Sequence, residues 1–401
     1  MGCRKTTNAD VFIASDDEWV VIESDGAESG SGMARNEPSL LPATDVAASR
    51  SFELIETDEA ATMAYGFRVT VTSDDEYTAG ARREAAAAAA WDKLGSAALR
   101  RSRAVEDVVL AWGIPPHARP TAWPVFSSAE ALQLVYTEVY AKLASADGDA
   151  WVGATAGSAD VARIDGDRAQ IELDLRRTFP TNEFFASQAG LDSLRTILVA
   201  FARWSPIGYC QSLNYVAGLL RVVLGSDELA FWSLVHFVED ELLGYYTEGM
   251  SLFKADSALI GELLAELEPE ASAVIDALGF DLSIVTAPWL LCLYVNTLPL
   301  AHVLHVWDMV MYSGASFLIR VALALLSAHA PLITAASDDF EAVYLALTQL
   351  PLLPPPHALV AAAATIDLGP EFSTRQREKL APGELPQLCK AIAAHRAHFA
   401  L

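Results

Sequence analysis

Basic residues are scarce in this chain. Lys and Arg number 27 against 52 Asp and Glu, a formal net charge of −25 over 401 residues. There is no basic footprint with which to neutralise a phosphate backbone, and this excludes a general nucleic-acid role. Cysteine is equally sparse: Cys3, Cys210, Cys292 and Cys389 form no C-x-x-C pair. With no recognisable signal peptide either, a reducing cytoplasmic compartment is expected. The eight histidines are scattered without ligand spacing, so no metal centre is expected. The string G-x-x-x-x-G-K-[ST] is missing, which removes the usual loop for cradling a nucleotide's phosphates. The most apolar stretch, Val285 to Val306, is interrupted by Pro288, Asn296, Pro299 and His302. That pattern suits a pair of buried core helices better than a membrane span.

Apolar residues are plentiful, at 52%, enough to bury a sizeable core in one large domain with extensions. Residues 1–60 carry four basic and thirteen acidic side chains, with Ser29-Gly-Ser-Gly32 among them. They read as a disordered acidic tail. Residues 61–112 are a helical lead-in, in which Thr78 to Ala104, with alanine from Ala85 to Ala90, predicts one helix. From residue 113 helix follows helix. Leu191, Leu194, Ile197, Leu198 and Phe201 recur at i, i+3, i+4 spacing, as do Ile260, Leu263, Leu264 and Leu267. Phe317 to Leu326 and Ala342 to Leu350 are further helical runs, and prolines punctuate the series. Residues 351–401 read as a proline break, Pro354-Pro-Pro356, and one or two covering helices. Alternating strand patterns are scarce, so the fold class is all-α.

Three strings stand in order along the chain: Arg119-Pro-Thr-Ala-Trp123, Ile171-Glu-Leu-Asp174-Leu-Arg176-Arg177-Thr178 and Tyr209-Cys210-Gln211. Around them run Arg177-Thr-Phe-Pro-Thr-Asn-Glu-Phe-Phe185, Gly208-Tyr-Cys-Gln-Ser-Leu-Asn214, Trp289-Leu-Leu-Cys-Leu-Tyr294 and Val306-Trp307-Asp308 with Gly314 following. In this order and spacing they resemble the TBC domain, the catalytic domain of Rab GTPase-activating proteins, over residues 113–350. Tyr65-Gly66-Phe67, followed by the helix bearing Trp91, resembles the lead-in found before some TBC domains.

The resemblance implies a domain of two helical subdomains and a division of labour. Arg177 is the arginine finger, whose planar, permanently charged fork can bind two phosphate oxygens of a partner's GTP. Gln211 is a glutamine finger, orienting the attacking water through an amide that both donates and accepts. Asp174, at i, i+3 from Arg177, holds the finger in place, and Ile171 anchors the turn in the core. Tyr209 and Asn214 are scaffold for Gln211. Arg119 and Trp123 are structural, and Trp307 and Asp308 read as core and cap. GTP and Mg²⁺ belong to the partner GTPase; the chain carries no cofactor of its own. Ser212 and Leu213 stand where the commonest family pattern has glycine and methionine. Leucine for methionine conserves volume, whereas serine for glycine matters wherever that backbone needs a positive φ.

The tail holds further motifs. Met1-Gly2-Cys3-Arg4-Lys5-Thr6 matches the N-myristoylation pattern at Gly2, with Cys3 as a palmitoylation candidate. Two acyl chains would anchor the protein peripherally on endomembranes or the plasma membrane. Asp16-Asp17-Glu18-Trp19-Val20-Val21-Ile22 resembles the motif, here Trp19 and Ile22, that docks on ubiquitin-like autophagy modifiers by strand addition. The expected activity is acceleration of GTP hydrolysis by a Rab-family small GTPase in vesicle trafficking. The alternative is a non-catalytic adaptor of the same fold that binds a Rab or an autophagy modifier.

Overall fold

The computed structural model describes residues 11–15, 18–22, 62–69, 74–155, 158–380 and 383–399. Gly2 and Cys3 lie outside them. Within the segment read as a disordered tail, β1 (Val11–Ser15) and β2 (Glu18–Ile22) pair antiparallel. Trp19 stands opposite Ala14 and Ile22 opposite Val11. Apolar and β-branched residues fill both strands, as the pleated geometry favours.

Among the other described residues the secondary structure is helical apart from one more small hairpin, β3 (Thr62–Ala64) and β4 (Phe67–Val69). Its turn residues Tyr65 and Gly66 both take positive φ, +55° and +82°, the backbone handedness of a tight two-residue hairpin. The lead-in helix expected from Thr78 to Ala104 is two helices. Helix α1 (Asp74–Leu94) ends at Gly95, φ +52°, a 3₁₀ turn follows, and α2 (Arg103–Trp112) begins at Ser102. Ser102 Oγ accepts from the Val105 amide at 3.4 Å. Alanine propensity does not carry a helix through a glycine and a serine that caps a new start.

One group of helices comprises α3 (Arg119–Phe126), α4 (Ala129–Val135), α5 (Val139–Ala144), α6 (Gly148–Thr155), α7 (Ser158–Leu175), α8 (Gln188–Trp204), α9 (Leu213–Leu224) and α10 (Asp227–His236), which runs into a π-helical turn at Phe237–Glu241. Helix α8 is central: Ser187 caps it, and Leu194, Ile197, Leu198 and Phe201 are buried against α5, α7 and α10. The second group is α11 (Ser251–Leu267), α12 (Pro269–Leu278), α13 (Ser283–Leu291), α14 (Leu300–Ser313), α15 (Ser316–Ala336), α16 (Phe340–Gln349) and α17 (Pro356–Thr365). Its axis is α15, a helix long and apolar enough to cross a membrane but with two thirds of that stretch buried by α11, α12, α14, α16 and α17. Ile260, Leu263 and Leu264 are buried on α11, whereas Leu267, in the last turn, is exposed. Helix α14 joins the two groups by packing on α2 and α3.

The C-terminal segment holds three helices where one or two were expected: α17, α18 (Phe372–Glu378) and α19 (Glu384–Phe399). Helix α19 lies over the first group. Phe399 stacks on Trp204 at 4.9 Å, and Arg396 pairs with buried Glu239 at 2.9 Å. Burial raises the Glu239 carboxyl above the usual range, and Arg396 opposes that rise.

Candidate functional site

Helix α7 buries Ile171, Asp174 and Leu175 on one face and stops at Leu175, so the chain turns immediately after a fully buried carboxylate. Such a group must be saturated with donors. The Tyr209 hydroxyl donates to Asp174 Oδ2 at 2.5 Å, Gln170 Nε2 donates to Oδ1 at 3.1 Å, and Arg177 Nη2 lies 2.8 Å from Oδ1. Burial, and then the Asp174 charge, hold the Tyr209 hydroxyl well above its ordinary pKa, so it stays a donor.

Arg177 is thus gripped from behind while its side chain remains 30% exposed. Its other face meets Gln211. With the amide oxygen turned to the guanidinium, Gln211 accepts from Nη1 at 3.1 Å and also from Nη2. The arginine turn and the turn before α9 therefore deliver Arg177 and Gln211 to one partly exposed point.

A second line of hydrogen bonds ties the two turns together. Thr178 Oγ1 donates to the Asp174 carbonyl at 2.7 Å, Asn214 Nδ2 donates to Thr178 Oγ1 at 2.7 Å, and Asn214 Oδ1 accepts from the Ser212 amide at 3.2 Å. The Tyr209 amide donates to Asp167 Oδ2 at 3.1 Å. Beyond Arg177, Phe179 has φ +49°, strained for a bulky residue. Its ring fits where Gly218 on α9 has no side chain: a Cβ there would lie 2.9 Å from it. Arg177, Asp174, Tyr209, Gln211 and Asn214 are brought together. Asn182, Phe179 and Gly218, to which the motif reading gave no role, complete the frame.

Ser212 has φ +97°, ψ −33°, and its hydroxyl is buried without a hydrogen-bond partner of normal geometry. The positive φ that glycine would take freely is present here in a serine. Such strain costs about 1–3 kcal/mol, more than the ~0.5–1 kcal/mol of extra backbone entropy that a glycine loses on folding. Ser212→Gly should accordingly raise stability by about 1 kcal/mol in urea unfolding; a fall would show that the serine side chain is needed. The neighbouring thiols are held in the protonated form: burial pushes Cys210 up to about 12 and Cys292 up to about 11.

Arg119 and Trp123 go elsewhere. Both converge on Asp308, which is fully buried. Arg119 donates to it through Nε and Nη2, both at 2.9 Å, Trp123 Nε1 donates at 2.8 Å, and the Ile114 amide donates at 2.8 Å. Asp308 sits mid-helix in α14, so it is a clamp across the two helical groups rather than the cap that its sequence position suggested. Trp307 beside it is fully buried core. Burial disfavours the Arg119 charge, but Asp308 outweighs it and leaves the guanidinium more firmly protonated than a free arginine. Among the described residues no group of His, Cys, Asp and Glu is placed to hold a metal ion.

The sequence matches the model of the Rab-GTPase-TBC domain over residues 116–334. It is 38% identical over 176 residues to TBC1 domain family member 2A of Rattus norvegicus, which covers 43% of this chain and 19% of that protein. It is 31% identical over 253 residues to growth hormone-regulated TBC protein 1 of Homo sapiens, covering 62% of this chain and 70% of that one. The chain thus spans about a fifth of the first relative's length. Among solved structures, the Chlamydomonas flagellar RabGAP TBC domain superposes with a TM-score of 0.62 at 25% identity, covering 75% of this chain and 96% of that one. With more than half of its length matched and the same fold around the paired turns, the chain belongs to the Rab-GTPase-TBC domain family.

Proposed function

We propose that this protein accelerates GTP hydrolysis by a Rab-family small GTPase, supplying Arg177 and Gln211 in trans. One observation carries the reading: the two side chains come from separate turns, touch each other at the surface, and are anchored from within by Asp174 and Tyr209. Phosphoryl transfer asks little covalent chemistry of a protein. It needs charge stabilisation on the γ-phosphate oxygens and a positioned water. The Arg177 fork suits the first task and the Gln211 amide the second. GTP and Mg²⁺ are the partner's. In the unbound protein Gln211 accepts from Nη1 and Nη2 of Arg177, and phosphate and water replace those contacts when the partner docks.

The test is phosphate release from a panel of GTP-loaded Rabs, with Gln211→Ala alongside. Wild type should accelerate one or two Rabs, and Gln211→Ala should be slower by about 10²-fold, the scale of a misplaced reactant. Binding of a Rab without acceleration would replace this reading with that of an adaptor.

A further inference from the structure

The β3–β4 hairpin lies outside residues 116–334, yet its turn is built into the back of the arginine turn. The side chain of fully buried Asn182 donates through Nδ2 to the Tyr65 carbonyl at 3.0 Å. The Glu183 amide donates to the Gly66 carbonyl at 2.9 Å. Phe67, itself buried, meets Phe179 edge-to-face with centroids 5.1 Å apart. On its far side the hairpin turn is bolted down: Arg119 Nη1 donates to the Tyr65 hydroxyl at 3.3 Å, and that arginine is held by Asp308.

What the hairpin holds is strained. Phe179, two residues beyond Arg177, adopts φ +49°, a strained state that persists only where the surroundings over-determine it. Asn182 also closes the turn from within, its Oδ1 accepting from the amides of Phe184 at 3.0 Å and Phe185 at 3.3 Å. Fit is close at the contact. A Cβ on Gly66, whose φ is +82°, would stand 3.1 Å from both amide atoms of Asn182.

We propose that Tyr65-Gly66-Phe67 is a latch that positions the arginine turn, with Asn182 and Phe179 as its catch. The catalytic part of this inference rests on the activator reading above. The latch touches no reacting group; it acts by keeping Phe179 in its strained state, so that Arg177 stays aimed at the point it shares with Gln211. A shift of about 1 Å at that distance from the chemistry is enough for a rate loss of about 10²-fold.

The experiment compares the full chain with Asn182→Ala, alone and in an Arg177→Ala background, with Gly66→Ala as a second variant that loads the same contact from the other side. Two readouts are taken on each. Single-turnover hydrolysis should show kcat lowered by about 10–100-fold with KM unchanged, and no further loss where Arg177 is already absent. Hydrogen exchange should show amides in 178–185 exchanging about tenfold faster while those of α9 keep their protection. An equal loss in both backgrounds, a rise in KM alone, or unchanged exchange across 178–185 would overturn the latch. Should wild type accelerate no Rab, the activator reading falls, and the exchange data decide the latch by themselves.

Discussion

Arg177→Ala should lower the maximal rate of GTP hydrolysis by the Rab in the presence of this protein by about 10³–10⁵-fold, if Arg177 is the arginine finger proposed above. At 1.36 kcal/mol per tenfold this is about 4–7 kcal/mol of transition-state stabilisation. On the proposed function the loss should fall on kcat, because charge spreads over the phosphate oxygens only as the bond breaks. Affinity for the GTP-loaded partner should change far less. Folding should survive, since Asp174 keeps Tyr209 and Gln170 as donors and the arginine is partly solvated already. Arg177→Lys is the sharper variant. It keeps the charge but loses the fork that spans Asp174, Gln211 and, on docking, two phosphate oxygens. Stopped-flow phosphate release checks both, and a lysine variant as active as wild type would remove Arg177 from the mechanism.

The second large effect is on stability. Asp308→Ala should destabilise the protein by about 3–5 kcal/mol, the cost of stripping one partner from a buried ion pair. The Trp123 indole and the Ile114 amide lose their acceptor as well, at about 1–3 kcal/mol each. Against a typical total of about 5–15 kcal/mol, that is a large fraction of the stability. The pairing, rather than the charge as such, is what matters. Arg119→Met with Asp308→Leu should therefore recover much of the loss, because a buried ion pair is often replaceable by apolar packing. Chemical denaturation of the three proteins measures this directly. Equal instability of the double variant and Asp308→Ala would show that the clamp cannot be exchanged for apolar packing.

Much of the architecture could be read locally. The apolar spacing of Leu194, Ile197, Leu198 and Phe201 places the buried face of α8, and a break at Pro299 separates α13 from α14. The paired turns were legible as motifs because arginine, aspartate, tyrosine and glutamine sit at fixed short offsets. Ser212 was legible as a departure at a position where backbone handedness matters, and it takes a positive φ. What escaped has a common physical cause. The β3–β4 strands are three residues each, too short for alternation to register, and their value lies in contacts to Phe179 and Asn182 more than a hundred residues away. Asp308 looked like a helix cap because its partners, Arg119 and Trp123, lie 189 and 185 residues earlier. Periodicity reports on neighbours along the chain and is silent about such pairings. The Gly95 break in the alanine-rich lead-in is visible in the sequence but is masked by the helix propensity of the residues around it.

The separation between Arg119 and Asp308 also sets an order of events at the ribosome. With 189 residues between them, and elongation at about 5–20 residues per second, Arg119 waits roughly 10–40 s for its carboxylate to be made. During that interval the indole of Trp123 and the guanidinium beside it have no acceptor, and Tyr65 has no fixed arginine to lean on. The arginine turn, though complete by residue 185, can be locked only after α14 has emerged. A nascent chain stalled before α14 therefore displays the motifs of the family without the frame that holds them.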